Sequence, residues 1–380
     1  MRTLVVSGMA LIAATYGLAR FGYGLFLPRF TETFQMSSTL AGAVQAGSFL
    51  SYCGAALAAT RLGNRPRMVV VCAGATATLG AAGVALAPHV GLFALGVIVA
   101  GAGAGFATPG LVTLIERNVA AARQENAQTV VNAGTGAGIV VAGILLILTA
   151  GHWRVGWLVI ALAAGLATVA TLRADRSTPR RRRSARPSRV KADDVAALAR
   201  PLVGATLAGA SSAAIWTFGR SVMADSGAGD ETLSIAAWMV LGAFGILGAA
   251  AGKIVQTWSL RVAWVATTAV MATATVLLGV APGIPPAAYV SVAAFGASYT
   301  AMSGVLIVWA VRVVPDIAAE GTVVLFIALA VGQAAGSVAL GVLLGASPVL
   351  AFVVAGALGI LAVLPAVRDP AAAGSRRATQ

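Results

Sequence analysis

Charged residues are scarce in this sequence. Asp, Glu, Lys and Arg make up only 10% of its 380 residues, whereas a soluble globular domain carries about 25%. This shortage excludes a protein whose whole surface is solvated by water. Hydrophobic residues account for 59% of the chain, and its mean hydropathy is +0.90. Such a composition is typical of a polypeptide that lies largely within a lipid bilayer.

Potential metal ligands and nucleophiles are also few. The two cysteines, Cys53 and Cys72, lie inside apolar runs, where they are expected to be small buried hydrophobes rather than a disulfide or metal pair. The only histidines, His89 and His152, lie at the ends of such runs, and none of the twelve acidic residues lies in the interior of one. Because no run interior offers a general base or a metal cluster, we expect neither enzymatic activity nor a metal or cofactor.

What the chain does contain is a series of long apolar runs. A helix needs about 20 apolar residues to cross a bilayer core of about 30 Å, and runs of that length recur throughout the sequence. They predict an all-α membrane protein with twelve transmembrane helices. The predicted helices cover residues 4–27, 39–59, 68–87, 90–114, 127–149, 153–172, 200–223, 232–251, 262–281, 286–311, 321–344 and 347–367.

The predicted helices fall into two sets of six. Residues 1–172 are expected to form one six-helix bundle and residues 200–367 a second, followed by a tail over 368–380. The basic, polar stretch 173–199 is expected to link them. Similar residues recur in the two sets at a nearly constant offset, which predicts two pseudo-symmetric repeats. The matches are Arg20 with Arg220; Gly101, Gly103, Gly105 and Phe106 with Phe295, Gly296 and Tyr299; and Gly134 and Gly138 with Gly332 and Gly336.

The basic residues are distributed unevenly between the predicted loops. Most of the 26 Lys and Arg lie at the termini and in every second loop, including the stretch 173–199. Because positively charged loops remain on the cytoplasmic side of a membrane, we expect both termini and this linker to be cytoplasmic. The net charge of +14 then reflects topology. No nucleic-acid partner is expected, since the arginines form no surface stripe with interleaved aromatics.

A few strongly polar side chains lie within the predicted helices, where they are costly and therefore informative. The candidates for a binding site are Tyr16, Arg20, Tyr23, Gln45, Tyr52, Asn132, Arg220, Tyr299 and Gln333. Arg20 stands about eight residues before Pro28, which places it roughly 12 Å from the predicted end of its helix. No embedded acidic residue offsets its charge. Either helix carbonyls, Gln45, Asn132 or water satisfy Arg20, or it binds an anionic ligand.

Arg220 also has two interpretations. It lies close to Asp225 at the predicted outer end of its helix, where its side chain can reach polar surroundings. Its match to Arg20 favours instead a place in the same binding site. A guanidinium holds a carboxylate or phosphate by two parallel hydrogen bonds, which suits this residue to an anionic ligand.

The six-plus-six arrangement with a basic central linker resembles the major facilitator superfamily. The superfamily's motif G-x-x-x-D-R-x-G-R-R is matched in part by residues 56–65, in which Thr60 replaces the aspartate. The run Y-G-L-A-R-F-G-Y-G-L-F-L-P at residues 16–28 looks more specifically like the first helix of the YbfB/YjiJ-like branch, and the runs at 132–138 and 295–300 are similar to that branch as well.

The resemblance implies a secondary transporter that works by alternating access in a bacterial inner membrane. We expect a monomer surrounded by lipid, and a small organic anion as its substrate. Coupling stays open between co-transport of protons, exchange and facilitated diffusion. The alternative is efflux of amphipathic or drug-like compounds. The expected substrate-binding residues are Arg20, Tyr16, Tyr23, Gln45, Asn132, Arg220, Tyr299 and Gln333.

Overall fold

The computed structural model describes residues 2–62, 65–149, 152–176, 191–227, 231–250 and 259–367, and all regular structure within these ranges is helical. Within these ranges, twelve helices are long and apolar enough to cross a membrane, which confirms the predicted fold class. They are α1 (Arg2–Phe34), α2 (Ser38–Arg61), α3 (Pro66–Leu86), α4 (Val90–Asn118), α5 (Ala121–Leu148), α6 (Trp153–Ala174), α7 (Ala199–Asp225), α8 (Glu231–Gly248), α9 (Leu260–Val280), α10 (Pro285–Val313), α11 (Pro315–Ala346) and α12 (Pro348–Ala366).

The predicted linker and tail are only partly covered. Helix α6 extends to Ala174, and a short helix, Ala192–Ala197, precedes α7. Most of the linker, including the basic run at 180–183, lies outside the described residues, as does the tail 368–380. The division of the chain into domains at these boundaries therefore stays a prediction.

Short polar side chains and prolines mark several helix starts. Ser37, Ser259 and Ser347 precede α2, α9 and α12, and each hydroxyl accepts a hydrogen bond from a backbone N–H three residues further on. Pro66 and Pro285 lie in the first turns of α3 and α10, where no intrahelical acceptor exists for the missing N–H. These caps satisfy donors that would otherwise be left in apolar surroundings.

The first helix is longer than the sequence pattern predicts. Its predicted end at residue 27 is wrong, because α1 continues through Pro28 to Phe34. Proline removes one backbone donor, which a transmembrane helix tolerates where neighbouring groups approach the exposed carbonyls. Close by, Arg220 of α7 donates from Nη1 to the carbonyl of Leu25, the residue after the one whose carbonyl loses its donor at Pro28, at 2.7 Å. Arg20 therefore lies about 21 Å from the end of its helix, farther than expected.

The two six-helix sets repeat the same internal contacts. In the first, the backbone of Gly138 on α5 lies so close to Ala13 on α1 that a side chain at Gly138 would collide with it. In the second, Gly336 on α11 lies equally close to Ala210 on α7. Both helices packed in this way, α1 and α7, contain a π-helical segment, Ala13–Arg20 and Ala214–Phe218. The recurrence supports two pseudo-symmetric repeats built on small-residue packing.

The bundle has two ends that differ in charge. We call the end at which α1 begins with Arg2 the basic face, and the end at which α1 finishes with Phe34 the opposite face. At the basic face, the buried carboxylate of Asp175 binds Arg67 at 3.1 Å and Asn118 at 2.9 Å. These contacts join the adjacent ends of α3, α4 and α6.

The two halves contact each other along a seam formed by α2 with α11 and α5 with α8. Toward the opposite face, the Ser38 hydroxyl donates to the Gly341 carbonyl at 2.7 Å, and Gly42 lies directly against the Ser337 backbone. In α5, Gly136 packs against Gly242 of α8. The halves are therefore in close backbone contact on the opposite-face side of the seam.

Candidate functional site

Arg20 lies at the end of the π-helical segment of α1, and its side chain is only 4% exposed. Its Nη2 donates a hydrogen bond of 3.2 Å to the side-chain oxygen of Gln333 on α11. The two residues belong to different halves of the protein. Segments with π geometry occur frequently at functional sites, and here one places a guanidinium at the junction of the halves.

The amide of Gln333 is oriented by two further contacts. Its Nε2 donates to the hydroxyl of Tyr299 at 3.1 Å and to that of Ser212 at 3.4 Å. With both donors turned toward these hydroxyls, the amide oxygen faces Arg20. Sequence reasoning named Gln333 and Tyr299, but it did not name Ser212, because serine is common in helices and carries no signal of its own.

Aromatic rings surround the guanidinium of Arg20. Its Cζ lies 4.0 Å from the ring centroid of Tyr52, 5.1 Å from that of Phe49 and 5.2 Å from that of Phe21. A desolvated cation over an aromatic face gains about 2 kcal/mol or more. Phe49 and Phe21 were not predicted as site residues. The sequence does indicate Phe49 in part, because Phe49 and Tyr52 share one helical face of α2.

Tyr16 completes the group. Its ring centroid lies 5.7 Å from Cζ of Arg20, and its hydroxyl shares a hydrogen bond of 3.0 Å with Thr108 of α4. We refer to Arg20, Tyr16, Tyr52, Tyr299 and Gln333 as the central cluster. It combines one buried positive charge, several hydroxyl groups and flat apolar surfaces, which are the elements needed to hold a small organic anion.

No carboxylate binds Arg20 among the described residues, and its Nε has no hydrogen-bond partner there. Gln45 is fully buried on the helical face of α2 that also carries Phe49, and neither of its amide atoms has a partner in the described part of the chain. Buried polar groups are normally hydrogen-bonded, and the exceptions call for an explanation. The unpaired Nε belongs to the one charged group of the cluster, and Gln45 lies one helical turn from Phe49, whose ring packs against that group.

Two predicted site residues lie away from the central cluster. The hydroxyl of Tyr23 donates to the Ala41 carbonyl at 2.9 Å, and its ring packs against Phe30 and Phe93. Asn132 is exposed on α5, one helical turn from Gly136 and therefore on the side of α5 that faces the second half. Among the described residues, neither side chain forms a hydrogen bond or a ring contact with Arg20.

Arg220 has a different environment from Arg20. It is fully buried, and its Nη2 binds Glu231 at 2.6 Å, while its Nη1 donates to the Leu25 carbonyl and its Nε to Ser234 at 3.3 Å. Its carboxylate partner is therefore Glu231 rather than the neighbouring Asp225. Sequence reasoning missed this pair, because Glu231 begins the next helix and only tertiary packing brings it to Arg220.

These features describe a multi-pass membrane protein whose two six-helix halves meet at a buried polar cluster. The sequence profile of the Major Facilitator Superfamily matches residues 9–337, and the chain belongs to this superfamily. The members of this superfamily are transporters rather than enzymes. No curated protein matches the chain.

Solved transporter structures share the fold at low sequence identity. A POT family transporter in complex with 5-aminolevulinic acid is similar with a TM-score of 0.79 and 13% identity, over 100% of this chain and 97% of that one. A D-xylose-proton symporter gives 0.76 and 15%, over 97% of each chain. A bacterial homolog of the human lysosomal transporter Spinster, inward-facing and unoccupied, gives 0.75 and 15%, over 96% and 95%.

Proposed function

We propose that this protein is a secondary transporter that binds a small organic anion at the central cluster and moves it by alternating access. One observation carries the proposal. Arg20 is a buried cation at the junction of the halves, and no carboxylate neutralises it among the described residues. Leaving a buried charge without a partner is strongly unfavourable, whereas an anionic ligand supplies the missing charge when it binds.

The groups around Arg20 lower the free-energy cost of burying its charge, but they do not remove that cost. The Gln333 oxygen and the ring of Tyr52 both stabilise the guanidinium, yet both are uncharged. A carboxylate would form the stronger, charge-assisted bond. Because Arg20 and Gln333 belong to opposite halves, a ligand held between them would contact both repeats, as alternating access about a shared site requires.

The orientation and lineage are part of the same proposal. The concentration of Lys and Arg at the basic face supports a cytoplasmic basic face, with both termini inside the cell and the opposite face outside. The run at residues 16–28, which contains Arg20, supports membership of the YbfB/YjiJ-like branch and a bacterial inner-membrane location.

The test is uptake by purified protein in proteoliposomes. The panel contains aromatic monocarboxylates, dicarboxylates, organic phosphates and lipophilic cations. We expect uptake of one anion class, and we expect Arg20→Gln to reduce it by at least about tenfold, since a hydrogen bond to a charged group contributes about 1.5–3 kcal/mol. The matched control is Arg154→Gln, because the hydrogen bonds that Arg154 donates within the described structure go to the carbonyls of Ala85 and Ala87, in its own half.

Two results would contradict this assignment. Equal uptake of every anion by the wild type and Arg20→Gln would remove Arg20 from the binding site. Flux of the lipophilic cations without any anion flux would favour efflux of amphipathic compounds instead. That second function would rest on the flat apolar surfaces of the aromatic rings around Arg20, which suit amphipathic compounds.

A further inference from the structure

We propose that the substrate of the central cluster is an aromatic monocarboxylate and that Trp216 determines this specificity. The inference rests on the proposed function, because it names the class of anion that Arg20 binds. The carboxylate pairs with Arg20, the ring of the substrate packs against Trp216, and the indole N–H of Trp216 donates to a hydroxyl or carbonyl group on that ring.

Trp216 lies at the centre of a group of aromatic rings beside Arg20. Its ring stacks on that of Phe21, with centroids 4.0 Å apart. It meets the rings of Phe295 and Tyr299 edge-on at 5.5 Å and 5.2 Å. Phe21 belongs to α1 in the first half, whereas the other three rings belong to α7 and α10 in the second. A flat ring that packs against Trp216 therefore lies where the two halves meet, as a carboxylate held by Arg20 does.

These rings are linked to the guanidinium of Arg20 on two sides. The ring of Phe21 lies 5.2 Å from Cζ of Arg20. The hydroxyl of Tyr299 accepts from the amide of Gln333, whose oxygen in turn accepts from Arg20. The ring of Phe21 thus stands between Trp216 and the positive charge. A ligand that contacts both must carry its carboxylate directly on a ring or on a short linker, as small aromatic acids do.

Two buried donors in this region have no hydrogen-bond partner in the described part of the chain. They are Nε of Arg20 and Nε1 of Trp216, and the two residues are 4% and 3% exposed. The same atom is unpaired in Trp157 and Trp238, but Trp216 is distinguished by its contact with Tyr299 of the central cluster. Buried donors are normally satisfied. A carboxylate and a polar substituent on the ring supply the two missing acceptors.

The central cluster offers a single positive charge to a ligand. Among the described residues, the other buried arginine is Arg220, which is bound by the carboxylate of Glu231. A second anionic group on the substrate would therefore be buried without a counter-charge, which is strongly unfavourable. This arrangement favours a monocarboxylate over a dicarboxylate.

The rings around Arg20 are buried to different extents. Trp216 and Phe295 are almost completely buried. Tyr16 and Tyr299 are partly exposed, and Tyr16 lies one helical turn from Arg20 toward the basic face. The cluster is therefore reached from the basic face, and apolar rings close it on the other side. Exclusion of water there strengthens the electrostatic contact between a carboxylate and Arg20.

The test compares carboxylates that differ in one property at a time. Benzoate and cyclohexanecarboxylate carry the same charge on rings of the same size, but only the benzoate ring is flat and aromatic. A second aromatic probe, 4-hydroxybenzoate, adds a hydroxyl for the N–H of Trp216, and succinate carries a second charge. The dependence of the thermal midpoint of the purified protein on ligand concentration gives a dissociation constant for each probe.

We expect the wild type to bind benzoate about two- to tenfold more tightly than cyclohexanecarboxylate, the advantage that contacts between aromatic rings give. Trp216→Leu should reduce this ratio to about one and still bind cyclohexanecarboxylate, because Arg20 is retained. Trp216→Phe keeps a ring and should lose only the additional affinity for 4-hydroxybenzoate. The matched control is Trp309→Leu, which removes an indole that packs against Trp264 in the same half and should leave the ratio unchanged.

The outcomes distinguish this specificity from anion binding itself. The aromatic monocarboxylate is wrong if the wild type binds neither aromatic acid, binds benzoate and cyclohexanecarboxylate equally, or binds succinate more tightly. Binding of another anion that depends on Arg20 would then still support the proposed function. A preference for benzoate that survives Trp216→Leu would overturn the role of Trp216. Binding of every probe by Arg20→Gln as tightly as by the wild type would contradict the proposed function instead.

Discussion

The two buried arginines of this protein have opposite electrostatic surroundings. Arg220 has a carboxylate, a carbonyl and a hydroxyl on its three donor nitrogens. Arg20 has one amide oxygen and several aromatic rings, with Nε unpaired in the described structure. The charge of a buried cation is neutralised when the protein itself supplies a carboxylate. A buried cation without such a carboxylate is suited to bind an external anion. Arg220 is therefore a structural residue, whereas Arg20 is a candidate for ligand binding.

The largest expected effect tests the structural side of this comparison. Glu231→Ala leaves the fully buried Arg220 without its carboxylate. We expect a loss of about 3 kcal/mol in the free energy of unfolding, the lower end for a broken buried pair because Glu231 is partly solvated. Denaturant unfolding in detergent measures it. Arg20→Gln is the counterpart, and a loss as large as that of Glu231→Ala would refute the contrast between the two sites.

The next effect concerns the backbone that carries Arg20. A methyl group at Gly138 would collide with Ala13, where the π-helical segment of α1 begins. We expect Gly138→Ala to cost about 2 kcal/mol of stability through overpacking. Gly304→Ala is the matched control, since nothing lies within 4 Å of the added methyl there, and alanine favours the helix. Equal stability of both variants would show that α1 and α5 yield easily.

The sequence predicts the backbone arrangement better than it predicts the side-chain contacts. Hydropathy alone predicts the twelve helices, since each helix must be long enough and apolar enough to cross the same bilayer. It misplaces the end of α1, because the effect of Pro28 depends on what approaches the neighbouring carbonyls. The glycine matches between halves are also visible in sequence, and the structure shows that Gly138 and Gly336 make corresponding contacts.

The partners of the polar side chains are much less predictable. Arg20 and Gln333 were both named from composition, but their direct contact joins residues far apart in the chain. The pairing of Arg220 with Glu231 depends on how α7, α8 and α1 meet, which no local pattern encodes. Tyr23 lies within one turn of Arg20, yet its hydroxyl reaches Ala41 because its direction depends on the neighbouring helix.

A third change converts one arginine environment into the other. Gln333→Glu keeps the shape of the side chain and places a carboxylate beside Arg20, where the amide oxygen now lies at 3.2 Å. We expect anion uptake to fall by about tenfold, equivalent to about 1.4 kcal/mol, because the internal carboxylate competes with the substrate. The thermal midpoint should not decrease. Gln333→Met is the control for simple loss of the amide, because it removes the amide without supplying a charge. It should also lower uptake.

The smallest expected effect concerns Tyr23. Its hydroxyl donates to the Ala41 carbonyl at 2.9 Å, and both groups lie in the first half. Tyr23→Phe removes this bond, which should cost about 1 kcal/mol of stability. Anion uptake should stay unchanged, whereas Tyr299→Phe, which releases the Gln333 amide, should lower it. The comparison uses the same proteoliposome assay. If Tyr23→Phe reduced uptake as much as Tyr299→Phe, the binding site would extend along α1 beyond Arg20 toward the opposite face, and the clear division between the two arginine regions would fail.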